Sequence, residues 1–211
     1  MKEENKNGQL PEKEQLLSSL RNAEEMYVFM SLCTKMPYVL CDEETFDDEV
    51  LLYYTEEDAQ REGKKLIEQR IPIQIAKIEK KQLLGFFSSL YPMGVNGLLI
   101  NKNMESEARL QLGELVIRPN TEDLPDGKVW VENPQLHLTA LYFMQEMRRQ
   151  EKPELTEELK GLQEEILVNY GRGRFIVAVH KENGMPMLKQ KNGDAYQPIF
   201  TDILEFRKFN K

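Results

Sequence analysis

The sequence predicts an α/β (α+β) protein in which a mixed sheet is flanked by helices, and three observations carry that expectation. Runs rich in β-formers, such as "MYVFMSL", "EVLLYY" and "IPIQIAKI", alternate with stretches of helical periodicity. The helical stretches open on cap residues, among them Pro11, Thr55 and the pair Asn133–Pro134. Turn-forming residues separate the two kinds of segment.

In chain order, residues 1–10 are polar and uncapped, which predicts a disordered tail. Pro11 opens a helix with Leu16, Leu17 and Leu20 on one face. "MYVFMSL", "PYVLC" and "EVLLYY" then read as a strand followed by a hairpin around the turn "DEETFDD". Thr55 with Asp58 three residues on is a variant of the capping box, and Glu56 and Glu57 suit the positive end of a helix. That helix carries the stripe Ala59, Gly63, Leu66, Ile67 and Arg70.

"IPIQIAKI" is a strand, and "KKQLLGFFSSLY" is a helix with Leu83, Leu84, Phe87 and Leu90 facing inward. "GLLIN" is a short strand that closes a first domain over 11–102. Residues 103–152 form a connection. It holds a strand over Gly113–Ile117, the loop "RPNTEDLPDG", a strand "KVWVE", and a helix from Pro134 with Ala140, Leu141, Met144 and Met147 inward. A last segment, 153–211, opens on a helix striped by Leu155, Leu159, Leu162 and Ile166.

This last segment resembles the first domain. Met36–Pro37 matches Met185–Pro186, and Tyr54–Thr55 matches Phe200–Thr201, with a threonine cap and a helix following each. The order helix, strand, hairpin, cap, helix occurs in both, which predicts a partial second copy. After Thr201 only ten residues remain, so either the chain stops inside a repeat or the second copy is degenerate.

"MPYVLCDEETFDDEVLLYYTEEDAQRE" followed by "GVNGLLIN" is similar to the SseB N-terminal domain family of bacterial proteins, through Tyr54, Thr55, Glu57, Gly97, Leu98, Ile100 and Asn101. The proline that commonly follows the family asparagine is replaced by Lys102. The resemblance implies a small α/β domain with no established catalytic role.

Composition narrows the function. With 36 acidic against 28 basic residues the formal charge is −8, which disfavours nucleic acid and anionic lipid as partners. No apolar run reaches a membrane span and the start lacks a signal-peptide segment, so a cytoplasmic location is expected. Cys33 and Cys41 read as two ordinary thiols. His137 and His180 lie far apart without a cysteine pair, so no zinc motif can be drawn and no metal or cofactor is expected.

No nucleophile loop or phosphate-cradling glycine loop occurs, and "GRGR" follows a helix where a phosphate loop would precede one. Catalytic residues are therefore not expected. The one charged constellation is the turn bearing Asp42, Glu43, Glu44, Asp47, Asp48 and Glu49, which lacks the alternation and central glycine of a calcium loop. It reads either as a solvated hairpin tip or as a patch for a basic protein partner. The corresponding turn of the second copy carries Lys189 and Lys191, which would suit self-association. The expected function is a non-enzymatic protein-binding or regulatory module. The alternative is a sensor of an amino acid or nucleotide seated between the two copies.

Overall fold

The computed structural model describes residues 12–118, 124–149, 154–182 and 184–210, which form two units. The first comprises the described residues to 88 with 96–118, and the second comprises 89–95 with the described residues after 118. The predicted disordered tail lies outside the described residues.

The first unit contains α1 (Glu12–Asn22), β1 (Glu25–Ser31), β2 (Val39–Cys41), β3 (Asp48–Tyr53), α2 (Glu56–Glu68) and β4 (Ile73–Glu79). It continues with α3 (Lys80–Leu90, whose last two residues are assigned to the second unit), β5 (Gly97–Ile100), β6 (Ala108–Gln111) and the single turn α4 (Leu112–Leu115). Its sheet is mixed and six-stranded, in the order β4-β1-β3-β5-β6, with β2 also on β3. The two partners divide β3: Asp48, Glu49 and Val50 face β2, and Leu52 and Tyr53 face β1. On its other side β3 runs parallel to β5, with Val50 opposite Leu98 and Leu52 opposite Ile100. A strand so enclosed must be apolar on both faces, which is why "VLLY" does not alternate. Tyr27, Phe29, Leu51, Tyr53 and Leu99 pack with Ala59 of α2 and with Ile71 and Ile73.

The conspicuous motif residues have physical reasons. Thr55 is the N-cap of α2, its hydroxyl accepting from the Asp58 amide. Asn101 has φ +50, a left-handed turn that asparagine tolerates, and its side-chain carbonyl accepts from the Tyr54 amide at 3.3 Å. The ends of β3 and β5 are thereby tied together.

The second unit contains α5 (Pro134–Arg149), α6 (Glu157–Arg172), β7 (Ile176–Val177), β8 (Leu188–Lys189), β9 (Ala195–Tyr196), β10 (Ile199–Phe200) and α7 (Ile203–Phe209). β7 pairs with β10 and β8 with β9, each antiparallel. Asn133 fastens this unit: its amide donates to the carbonyls of Arg174 at 2.6 Å and Thr201 at 2.8 Å, and its carbonyl accepts from the Arg174 amide.

The α/β class is as the sequence predicts, and several details differ. The sheet continues past residue 102, because β6 pairs with β5 through Leu110 opposite Leu98. The strand expected over Gly113–Ile117 lies instead at Ala108–Gln111, and the helical turn α4 follows it. "KVWVE" is irregular, and part of "RPNTEDLPDG" lies outside the described residues. Leu84, Ile67, Leu155 and Met144 are exposed despite falling on their expected stripes. On α5 the buried face is Leu136, His137, Leu138, Thr139, Leu141 and Gln145, a rotation away from Ala140, Met144 and Met147. The expected second copy is matched only coarsely: α6 and α7 enclose four two-residue strands where α1 and α2 enclose three, and β7 pairs antiparallel with β10 as β1 does with β3. Among the described residues no helix is long and apolar enough to cross a membrane.

Candidate functional site

The acidic turn between β2 and β3 is braced from within. Asp42 Oδ1 accepts from the amides of Glu44 at 2.9 Å and Thr45 at 2.8 Å, an Asx turn that fixes the loop. Asp47 accepts from the side-chain amides of Asn96 at 2.6 Å and Gln111 at 2.7 Å, and the Asn96 carbonyl receives the Asp48 amide. Arg109 of β6 completes the brace. Its guanidinium lies 3.0 Å from Asp42, 3.2 Å from Glu49 and 3.4 Å from Glu107.

The six acids therefore have different roles. Asp42, Asp47 and Glu49 turn inward onto Arg109, Asn96 and Gln111, while Glu43 and Glu44 are exposed. Asp48 is half-buried in β3. At the tip Phe46 is 76% exposed and holds φ +58, so the chain places an aromatic ring in water at a strained residue.

Glu49 is the most enclosed of the acids, at 1% exposure, and its Oε2 has no hydrogen-bond partner. Gly97 makes room for it, since a Cβ there would stand 2.9 Å from Glu49 Cγ. Burial pushes the Glu49 carboxyl above its ordinary range, against the pull of Arg109. Asp42 moves the other way. The Thr45 and Glu44 amides hold its carboxyl below the usual range, and Arg109 adds to that. Burial, with Asp48, Asp42 and Asp47 nearby, raises the Cys41 thiol, the reverse of an activated nucleophile.

Beside the hairpin an open cleft of about 680 Å³ is lined by Glu12, Asp47, Glu49, Glu105, Glu107 and Glu114, with Lys13 and Arg109 as the cations. Six carboxylates against two cations make it a cleft for positive charge.

Sequence reasoning found the acids and missed what organises them. Arg109, Asn96 and Gln111 lie in β5–β6 and the turn before it, and nothing local in sequence points from them to the hairpin. Phe46 did carry a signal, as an aromatic residue inside a run of acids. His180 is exposed and bridged to Gly184, and Cys33 and Cys41 are free. Lys189 and Lys191 are exposed on the second hairpin. "GRGR" ends α6, where Gly173 is the C-cap at φ −73. Comparison with protein-family models, with curated proteins and with solved structures gave no match.

Proposed function

We propose that the first unit is a non-enzymatic, SseB-like binding module whose braced acidic hairpin receives a basic segment of a partner protein. The observation that carries this reading is Phe46, an exposed aromatic held at the tip of a turn that Asp42 and Asp47 keep rigid. Rigid aromatic anchors supply large contact area at low entropic cost, and they dominate binding energy at interfaces. Glu43 and Glu44 are exposed on the same turn just before the ring, and the neighbouring acidic cleft extends the charge that would steer a basic partner. The reading includes a cytoplasmic setting, supported by the two free thiols. It also includes residues 153–211 as a partial, degenerate second copy, supported by the antiparallel pairing of β7 with β10 as of β1 with β3, and available for self-association through Lys189 and Lys191.

Fluorescence anisotropy with a labelled peptide alternating Arg and Leu tests it. Phe46→Ala should weaken binding about tenfold, the scale of one good anchor. Glu43→Lys with Glu44→Lys should weaken it further, whereas Glu157→Lys with Glu158→Lys, an equal charge change on α6, should not. Equal loss in both charge variants would reduce the interaction to net charge and sink the proposal.

A second reading, distinct from an amino-acid or nucleotide sensor seated between two copies, rests on the acidic cleft beside Glu49 as a site for a small cation. It predicts that a small cation such as spermidine raises the melting temperature and that Glu107→Gln with Glu114→Gln abolishes the rise.

A further inference from the structure

The second unit brings together three side chains that are far apart in sequence. His137 projects from α5, Asp202 caps α7 and Glu205 stands in the first turn of α7; one ligand atom from each lies within 4.8 Å of the others. His137 is 9% exposed, and its Nδ1 is buried without a hydrogen-bond partner. It faces Asp202 Oδ2 at 3.5 Å, too long for a formed hydrogen bond. A buried imidazole nitrogen aimed at a buried carboxylate oxygen, close enough to pair with it but not at normal hydrogen-bond length, is the uncommon feature here.

We propose that His137, Asp202 and Glu205 form a binding site for a borderline divalent transition metal such as Zn2+. Ligand atoms at about 2.1 Å from a tetrahedral ion stand about 3.4 Å apart, which is close to the separation of Nδ1 and Oδ2. Glu205 is partly exposed, its Oε1 is ion-paired with Lys208 at 2.6 Å, and one of its carboxylate oxygens lies within 4.8 Å of the other two ligand atoms.

The surroundings hold the ligands as a metal site requires. Asp202 Oδ1 is occupied by the amides of Leu204 at 2.8 Å and Glu205 at 3.1 Å, which fixes the carboxylate and turns Oδ2 toward His137. The Thr201 hydroxyl donates to Oδ2 at 2.8 Å and leaves a lone pair for the ion. One helical turn before His137, Asn133 bonds Arg174 and the Thr201 carbonyl, so α5 and the strand end bearing Asp202 are locked in register. Imidazole with two carboxylates selects Zn2+, Co2+ or Mn2+ over Mg2+ and Ca2+, which prefer all-oxygen shells.

Calorimetric titration of the full chain, freed of metal by chelation, tests the site. One Zn2+ per chain should bind, with Mg2+ giving no heat at the same concentration. Glu205→Gln should weaken Zn2+ by about tenfold or more, since even supporting groups matter on that scale. Because Glu205 is half-exposed, that variant should keep the native circular dichroism. His137→Gln should remove the intense visible d–d absorption of bound Co2+, which reads the four-coordinate geometry that the imidazole helps to complete. Asp42→Asn with Asp47→Asn, on the acidic hairpin, should leave Zn2+ binding unchanged. Absence of binding by the native chain would overturn the site. So would affinity unaffected by Glu205→Gln, which would place the ion elsewhere, or equal affinity for Mg2+ and Zn2+, which would mark unselective binding to carboxylates.

Discussion

The antiparallel strand pairs β1–β3 and β7–β10 stand in different physical states. In the first, β1 and β3 are almost wholly buried, because β3 is bordered by β1, β2 and β5 and covered by α2. In the second, β7 and β10 are two residues each, pair only with one another, and expose Val177 and Ile199. Strand propensity is comparable in "EVLLYY" and "QPIF". What differs is the number of neighbours available to bury them, and a sheet draws its stability from cross-strand and face packing more than from propensity.

The largest test of this contrast is truncation of one strand residue in each pair. Leu52→Ala removes a side chain with no exposure and should cost about 3 kcal/mol. Ile199→Ala removes one that is 39% exposed and should cost about 1 kcal/mol or less. Urea denaturation compares them, and equal losses would mean that the second pair is as well supported as the first.

Each unit also has a glycine whose missing side chain admits a polar group. A Cβ at Gly97 would meet Glu49 Cγ at 2.9 Å, and one at Gly173 would meet Asn133 Oδ1 and the Phe175 ring at 2.7 Å. Alanine at either position should destabilise by about 1–3 kcal/mol through overpacking. The two differ in rescue. Glu49→Ala deletes the obstructing atom and should restore much of the Gly97→Ala loss. Asn133→Ala cannot restore Gly173→Ala, since it removes the bonds to Arg174 and Thr201 and leaves the Phe175 clash. A double-mutant cycle at each pair reads the difference.

The caps sharpen the comparison further. The sequence pattern sets Phe200–Thr201 beside Tyr54–Thr55, yet the cap of α7 is Asp202, which takes both the Leu204 and Glu205 amides. Thr201 instead donates to Asp202. Thr55→Ala should therefore cost about 1 kcal/mol. Thr201→Ala should cost about half as much, having lost one hydrogen bond to a carboxylate that keeps its other partners. Thermal melts of the pair decide it.

These cases mark what was legible. Strands β1, β3, β4 and β5 and helices α1, α2, α3, α5 and α6 follow from local pattern, because periodicity and caps act within a few residues. The acids of the hairpin were visible as composition. Their division was not, since Arg109 and Asn96 reach them only through the β3–β5–β6 order. The inward face of α5 escaped for a similar reason: Asn133 and His137 turn toward Arg174, Thr201 and Asp202, and that polar docking overrides the apolar stripe. His137 and Asp202 could be placed together only once the fold was known.

The smallest effect separates two carboxylates that share one guanidinium. Glu49 has a folded pKa raised above its ordinary 4.5 by burial, whereas Asp42 is lowered by the Thr45 and Glu44 amides. For a raised acid, the favourable contribution is fully present below the unfolded value, where the group is neutral in both states. It is lost as pH rises through the folded value. Glu49→Gln remains neutral throughout, and Arg109 keeps Asp42 and Glu107 as partners. The variant should match the native protein below about pH 4.5 and exceed it in stability at pH 7. Asp42→Asn should do the reverse, falling below the native protein at pH 7 and converging with it in acid. The hydrogen-exchange protection of β3 amides, compared at the two pH values, measures both. A Glu49→Gln variant less stable at pH 7 would show that the Arg109 pair outweighs burial. The hairpin would then be an ion-paired clasp, with no buried charge held at a cost.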